Sequence, residues 1–158
     1  MSKKMLASYA SLGAAALALI FVLTGTFAKI QDVLTLTFSY FDLTFGKSLT
    51  FFGESIDVTK FSFMNLIPLL LLLGGITLLV LKLFVEQYKE NRNFMFIAAV
   101  LIGAAGIFFM FSIEFAVPAQ DDADFSELTL GTGAIFAFIL SCASAGAAIA
   151  SETALIDK

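Results

Sequence analysis

The chain contains no histidine and no tryptophan, a single arginine (Arg92), a single cysteine (Cys142) and two prolines (Pro68 and Pro118). Without histidine, the commonest metal ligand and the usual acid–base group near neutral pH are gone, and no serine or cysteine has an imidazole to activate it. Without tryptophan, an aromatic belt at a membrane surface has only tyrosine and phenylalanine to draw on. One cysteine closes no intrachain disulfide, so Cys142, set among small residues, reads as a packing residue. Charge is scarce as well: Asp, Glu, Lys and Arg make up 14% of the 158 residues, where a soluble domain carries about a quarter. A net charge of −4 with scattered basic residues offers nucleic acid no footprint. No glycine-rich phosphate loop precedes a Lys-Ser or Lys-Thr pair, no metal-ligand spacing occurs, and no apolar run holds a pair of acids. No enzyme and no cofactor or metal centre is expected.

Apolar residues fill the space that charge leaves. They account for 59% of the chain, and mean hydropathy is +0.97. One small core cannot bury that surplus, which makes lipid its natural solvent. Richness in Phe, Ile and Lys with little Arg, Trp or Pro suits a low-GC bacterial genome. Four long apolar runs stand out, at about residues 5–28, 63–84, 94–117 and 128–150. Some 20 helical residues rise about 30 Å, the thickness of the hydrocarbon layer, and only helices satisfy their backbone there. The first run has a rival reading as a signal peptide, with Thr26-Phe27-Ala28 as a cleavage site. Its length exceeds the roughly 7–15 apolar residues of such peptides, which favours a retained helix.

Lysine and arginine set the orientation. Lys3, Lys4, Lys82, Lys89, Arg92 and Lys158 fall on one side of a four-span chain, and Lys29, Lys47 and Lys60 on the other. Both termini and the loop 85–93 are therefore expected in the cytoplasm of a multi-pass cell-membrane protein. The loop 29–62 and the acidic loop 118–127 then lie outside. Within the first of these the pattern changes to period two. Over residues 33–41, Leu34, Leu36, Phe38 and Tyr40 alternate with Val33, Thr35, Thr37 and Ser39, the mark of a half-buried strand. A hairpin turn at Phe45-Gly46-Lys47 leads into a strand over 48–52, and a turn at Gly53-Glu54-Ser55 into a weaker one over 56–61. Two or three antiparallel strands are expected, resting on the helix ends because an isolated hairpin is marginal in water. Leu36, Phe38, Tyr40, Phe45, Phe51 and Phe52 are the candidates for contact with a protein partner.

Among polar residues in the runs, Glu114 carries most information. A carboxylate within a span must be paired, protonated or wetted, and is a functional candidate by default; it would serve a cation, a proton or a substrate amine. Its position about one turn before Pro118 favours the alternative, a solvated residue at the outer interface, and Lys29 or Lys60 would be its counter-charge if buried. Asn65, near the outer end of the second run, reads as an interhelical hydrogen-bonding residue rather than a ligand. The cluster Asp121, Asp122, Asp124 and Glu127 lacks the glycine and spacing of a calcium loop and reads as a solvated rim.

Small residues recur every four positions: Ala10, Ala14 and Ala18 in the first run, and Gly133, Ala137, Ser141 and Ala145 in the last, extended by Ser144 and Ala148. Ala99 and Gly103, with Gly106 nearby, repeat this in the third. Such faces let helix backbones approach closely in lipid; packing within one bundle is favoured over a homo-oligomer. The Leu-, Ile- and Val-rich second run is expected to face lipid most.

Four spans, a long strand-patterned first outer loop, a short inner turn and a smaller second outer loop resemble the claudin and peripheral-myelin tetraspan layout. The claudin signature of tryptophans and a cysteine pair is missing, so the resemblance implies architecture alone. The expected fold is an all-α membrane four-helix bundle with a small antiparallel β cap. The expected role is that of a non-enzymatic structural or accessory component making protein contacts through its outer loop. The competing expectation is a small ion, proton or solute transporter or channel using Glu114.

Overall fold

A computed structural model of the chain describes residues 3–31, 35–51, 54–119 and 128–153. Phe52, the side chain of Phe51 and the acidic stretch 121–127 lie outside the described residues. The described part is mostly helical. α1 (Lys3–Thr24) leads into β1 (Thr26–Gln31) and β2 (Thr35–Ser39), then the short α2 (Tyr40–Phe45), β3 (Lys47–Phe51) and β4 (Glu54–Lys60). α3 (Phe63–Phe84) is joined through a 3-10 turn at Glu86–Tyr88 to α4 (Arg92–Met110). The two-residue strands β5 (Val117–Pro118) and β6 (Thr129–Leu130) precede α5 (Thr132–Glu152).

Among the described residues, α1, α3, α4 and α5 are each long and apolar enough to cross a membrane. They form a ring in which α1 packs on α5, α5 on α4, α4 on α3 and, most loosely, α3 on α1. Their interfaces are narrow because small residues line them. A Cβ on Gly25 would lie 2.7 Å from the Gly133 Cα, and one on Gly106 would lie 2.7 Å from the Ser141 Cβ. Deeper in the α1–α5 seam, Ser11 Oγ donates to the Ser144 carbonyl (2.9 Å) and Ser144 Oγ to the Ser11 carbonyl (2.8 Å). The buried stripe of α1 is Ser8, Ser11, Ala15, Ala18 and Val22. It lies one step round the helix from the expected Ala10–Ala14–Ala18 face: Ala18 is buried, Ala14 half-buried and Ala10 exposed. The two serines, which the strict four-residue spacing passed over, set that rotation. On the other helices Ala99, Gly133, Ala137 and Ser141 are buried, and Gly103 and Ala145 are half-buried and face one another.

Two helices stop short of the expected bounds. α1 ends at Thr24 because Gly25 lies against Gly133 and the chain turns directly into a strand. α4 ends at Met110, where the Phe111 N–H reaches back to the carbonyls of Phe108 and Phe109. Pro118 has no N–H to continue a helix and biases Val117 to extended backbone, so the chain crosses turns at 111–115 and pairs as β5.

Among the described residues, the cap consists of two three-stranded antiparallel sheets, in the orders β2-β1-β6 and β3-β4-β5. Each is therefore completed by a strand from the connection between α4 and α5. β6 joins β1 at Ala28↔Leu130, and β5 joins β4 at Thr59↔Pro118. Tyr40 leaves the strand that sequence alternation assigned to it and opens α2. The cause is a reciprocal cap, in which Ser39 Oγ accepts from the Asp42 N–H (3.1 Å) and the Asp42 carboxylate accepts from the Ser39 N–H (2.8 Å). Gly46, at φ 99°, turns α2 into β3 where a Cβ would come within 2.7 Å of the Thr59 carbonyl oxygen.

Overpacking a full helix interface has a defined cost. Gly133→Leu should lower the unfolding free energy by about 1–3 kcal/mol. Gly13→Leu, where nothing lies within 4 Å of a Cβ, should not lower it, and loss of a mid-helix glycine should raise it by about 0.5–1 kcal/mol. Equilibrium unfolding in mixed detergent micelles compares the two directly.

Candidate functional site

Cap and bundle meet at a buried aromatic and amide junction. The rings of Phe27 from β1, Tyr40 from α2 and Phe109 from α4 pack edge to face, with centroids 4.9, 5.4 and 5.9 Å apart. All three are fully buried. The Tyr40 hydroxyl donates to the Asn65 carbonyl, and burial pushes its phenol pKa up. The Asn65 amide, also fully buried, donates from Nδ2 to the Leu43 carbonyl (3.1 Å) and the Ser112 carbonyl (2.9 Å). One side chain of α3 thus holds α2 and the exit of α4. Ser62, capping α3, donates to the Phe115 carbonyl at 2.5 Å.

This junction changes which aromatic residues face outward. Phe38 and Tyr40 are buried and Leu36 packs against the same core, so three of the expected contact residues point inward. The sheet's inner face has to cover the helix ends, and the apolar alternation marks that face. Phe45 is half exposed. It stacks on Phe41 at 5.8 Å and lies 6.1 Å from Phe61, both exposed and both passed over because neither falls on the alternating face. Above them, Ser48 on β3 and Glu54, Ser55, Ile56 and Asp57 on β4 are all exposed. The β3–β4 hairpin is therefore exposed on both faces, and among the described residues β3 is an edge strand of its sheet. Lys47 holds its base, 3.1 Å from the Asp42 carboxylate and 5.0 Å from the Phe38 ring centroid.

Glu114 is exposed in the turns beyond α4. It thus lies outside α4, near the outer helix end where sequence position placed it. Cys142 is exposed on α5. Among the described residues no group of three or more Cys, Asp or Glu is placed to hold a metal ion.

The opposite end of the bundle carries the buried charge. Lys82, in the last turn of α3, is buried. Its Nζ lies 3.2 Å from Glu152 Oε1 and donates to the Lys89 carbonyl at 2.5 Å. Arg92, opening α4, places Nε 3.4 Å from Glu152 Oε2 and donates to the Glu152 carbonyl. One carboxylate at the end of α5 therefore joins α3 and α4. A cavity of about 580 Å³ beside it is lined by Lys4, Met5, Tyr9, Leu83, Lys89 and Glu90 together with this triad. Sequence reading used these cations only for orientation. The signal for the pairing was Lys82 alone in an otherwise uncharged run, level with Glu152 at the end of another.

No protein-family model matches the chain, and no curated protein matches it.

Asn65→Leu removes the donors of two buried carbonyls, each worth about 1–3 kcal/mol if left unpaired. Proteolysis between residues 47 and 60 should quicken at least about tenfold while helix content by circular dichroism is kept. An alkaline limb belongs to Tyr40. Because its folded-state pKa is raised, the unfolded chain loses that proton first. Stability is then complete below the ordinary phenol value of about 10 and falls as pH rises through it. Tyr40→Phe should flatten that fall in a pH series of unfolding midpoints.

Proposed function

We propose that the chain is a non-enzymatic four-span membrane protein that acts as a structural or accessory component, making protein contacts through its β cap. Membrane insertion is supported by the four long apolar helices and by the exposed apolar residues around them, among them Leu17, Ile20, Leu70, Val100, Ile107 and Ile139. An exposed apolar surface of this extent has lipid as its natural partner. Orientation follows the lysine and arginine bias: Lys3, Lys4, Lys82, Lys89 and Arg92 at the open end face the cytoplasm with both termini, and the cap is external. Four spans with strands supplied by both outer connections keep the claudin-like layout at the level of architecture.

The observation that carries the contact role is the β3–β4 hairpin, exposed on both faces and standing on the Phe41–Phe45–Phe61 stack. Apolar rings rimmed by polar strands, next to a free sheet edge, are features of a protein-binding surface.

Two measurements test the reading. In a Cys142→Ala background, a cysteine at Ser48 should react with an impermeant reagent on intact cells and one at Asn91 should be protected; the reverse pattern inverts the orientation. A photo-crosslinking residue placed at Phe45 or Ile56 should give discrete protein adducts that the same group at the lipid-facing Val100 does not. Identical products at all three sites would remove the contact role.

A further inference from the structure

Among the described residues each sheet of the cap ends in two edge strands, β2 and β6 in one, β3 and β5 in the other. A row of unpaired N–H and C=O groups invites another chain, so sheets guard their edges by keeping them short or by setting a charge on them. Three of these edges are guarded. β5 and β6 are each 2 residues long, and on β2 the Thr37 carbonyl accepts from Lys47 Nζ at 2.7 Å. The edge of β3 is different. It is 5 residues long and holds no proline, and its one charge is that same Lys47, drawn off to β2 and to the Asp42 carboxylate. The single irregularity in its pairing lies between Lys47 and Ser48, so from Ser48 onward the strand is regular and unguarded. Pairing also sorts the side chains of the hairpin. Ser48 pairs with Asp57 and donates to its carboxylate at 2.5 Å, and Thr50 pairs with Ser55 on that same face. Leu49 pairs with Ile56 on the other face, where Ile56 is exposed and Leu49 half-buried. The Phe41, Phe45 and Phe61 rings lie at the Lys47 end, because Phe45 leads through Gly46 into β3 and Phe61 follows directly on β4.

We propose that β3 takes up an extended segment of a partner protein as an added strand. Main-chain hydrogen bonds to residues 48–51 supply the affinity, and side chains at alternate positions supply the selectivity. The segment is free of proline and as long as β3. It is aliphatic where it extends the Leu49–Ile56 face and hydroxyl-bearing beside Ser48 and Thr50, since cross-strand pairs of like character are the favourable ones. At the Lys47 end it carries an apolar side chain that seats against the Phe45 ring. The inference rests on the reading of the cap as a contact surface and adds the form that its partner takes.

The test uses the purified full chain in neutral detergent micelles, titrated with a blocked peptide of alternating valine and threonine, and reads amide hydrogen exchange residue by residue. The peptide should slow exchange saturably, about tenfold or more, at alternate residues of 48–51, and leave residues 35–39 of β2 unchanged. A twin peptide with every amide N-methylated should have no effect. Successive N–H groups of a strand point to opposite edges, so one of Leu49→Pro and Thr50→Pro removes an outward donor and keeps the β3–β4 ladder. That variant should raise the half-saturating peptide concentration about tenfold or more; if neither variant folds, the exchange map of the unaltered chain decides. Equal slowing by the N-methylated twin, slowing on β2 in place of β3, or unaltered binding by the ladder-keeping variant would overturn strand addition. Protection of 48–51 already present without peptide, and lost on dilution, would give the edge to a second copy of the chain and overturn it too. Discrete crosslinked adducts at Phe45 and Ile56 without peptide protection would sink strand addition alone. Protection without adducts would keep the open edge and remove the contact role.

Discussion

The Asn65 amide is the point on which the two halves of the molecule depend. Where α4 gives way to turns and α2 ends, carbonyls are left without helical partners, and no water reaches a fully buried site to satisfy them. Asn65 Nδ2 supplies both bonds, to Leu43 and to Ser112. The backbone carbonyl of Asn65 takes the Tyr40 hydroxyl. Ser62 and Thr59 repeat the device on Phe115 and Asp42, at 2.5 and 2.7 Å. Short polar side chains of one helix and one strand thus complete the backbone of their neighbours, and the Phe27–Tyr40–Phe109 packing can close over them.

That arrangement also explains what the sequence conceals. Hydropathy marks the four apolar runs well, because a span of more than 20 uncharged residues has few rivals. It overruns their ends, since Phe27 and Ala28 are as apolar in β1 as they would be in a helix. Alternation from Leu34 to Tyr40 locates a strand but cannot say where it stops. The Ser39–Asp42 cap decides that, and its spacing is a sequence signal of helix starts that the stronger alternation masked. Apolar alternation likewise identifies the face that meets the core, so the residues it selects, Leu36, Phe38 and Tyr40, are those least able to meet a partner. Phe41 and Phe61 lie off that pattern, and only the fold brings them beside Phe45.

Small-residue spacing behaves in the same way. The stripe on α5 was legible because Gly133, Ala137 and Ser141 repeat every four residues and are buried. On α1 the repeat of alanines is real, but the seam is fixed by Ser11 and Ser144, which exchange hydrogen bonds across it. In an apolar solvent a serine that pairs with a neighbouring backbone outweighs an alanine that merely fits, so polarity within a small-residue run locates the interface better than size does.

The two ends of the bundle solve a shared problem with different chemistry. At the cap, the helix ends are covered by strands and the fully buried polar groups are neutral: an amide, a phenol and hydroxyls. At the open end no sheet covers them among the described residues, and a carboxylate shared by Lys82 and Arg92 ties three helices instead. Neutral hydrogen-bonding groups can be buried without a counter-charge, which lets the strands close over the helix ends. The carboxylate, held by one cation from each of two neighbouring helices, ties the ends by charge where the cap ties them by neutral hydrogen bonds.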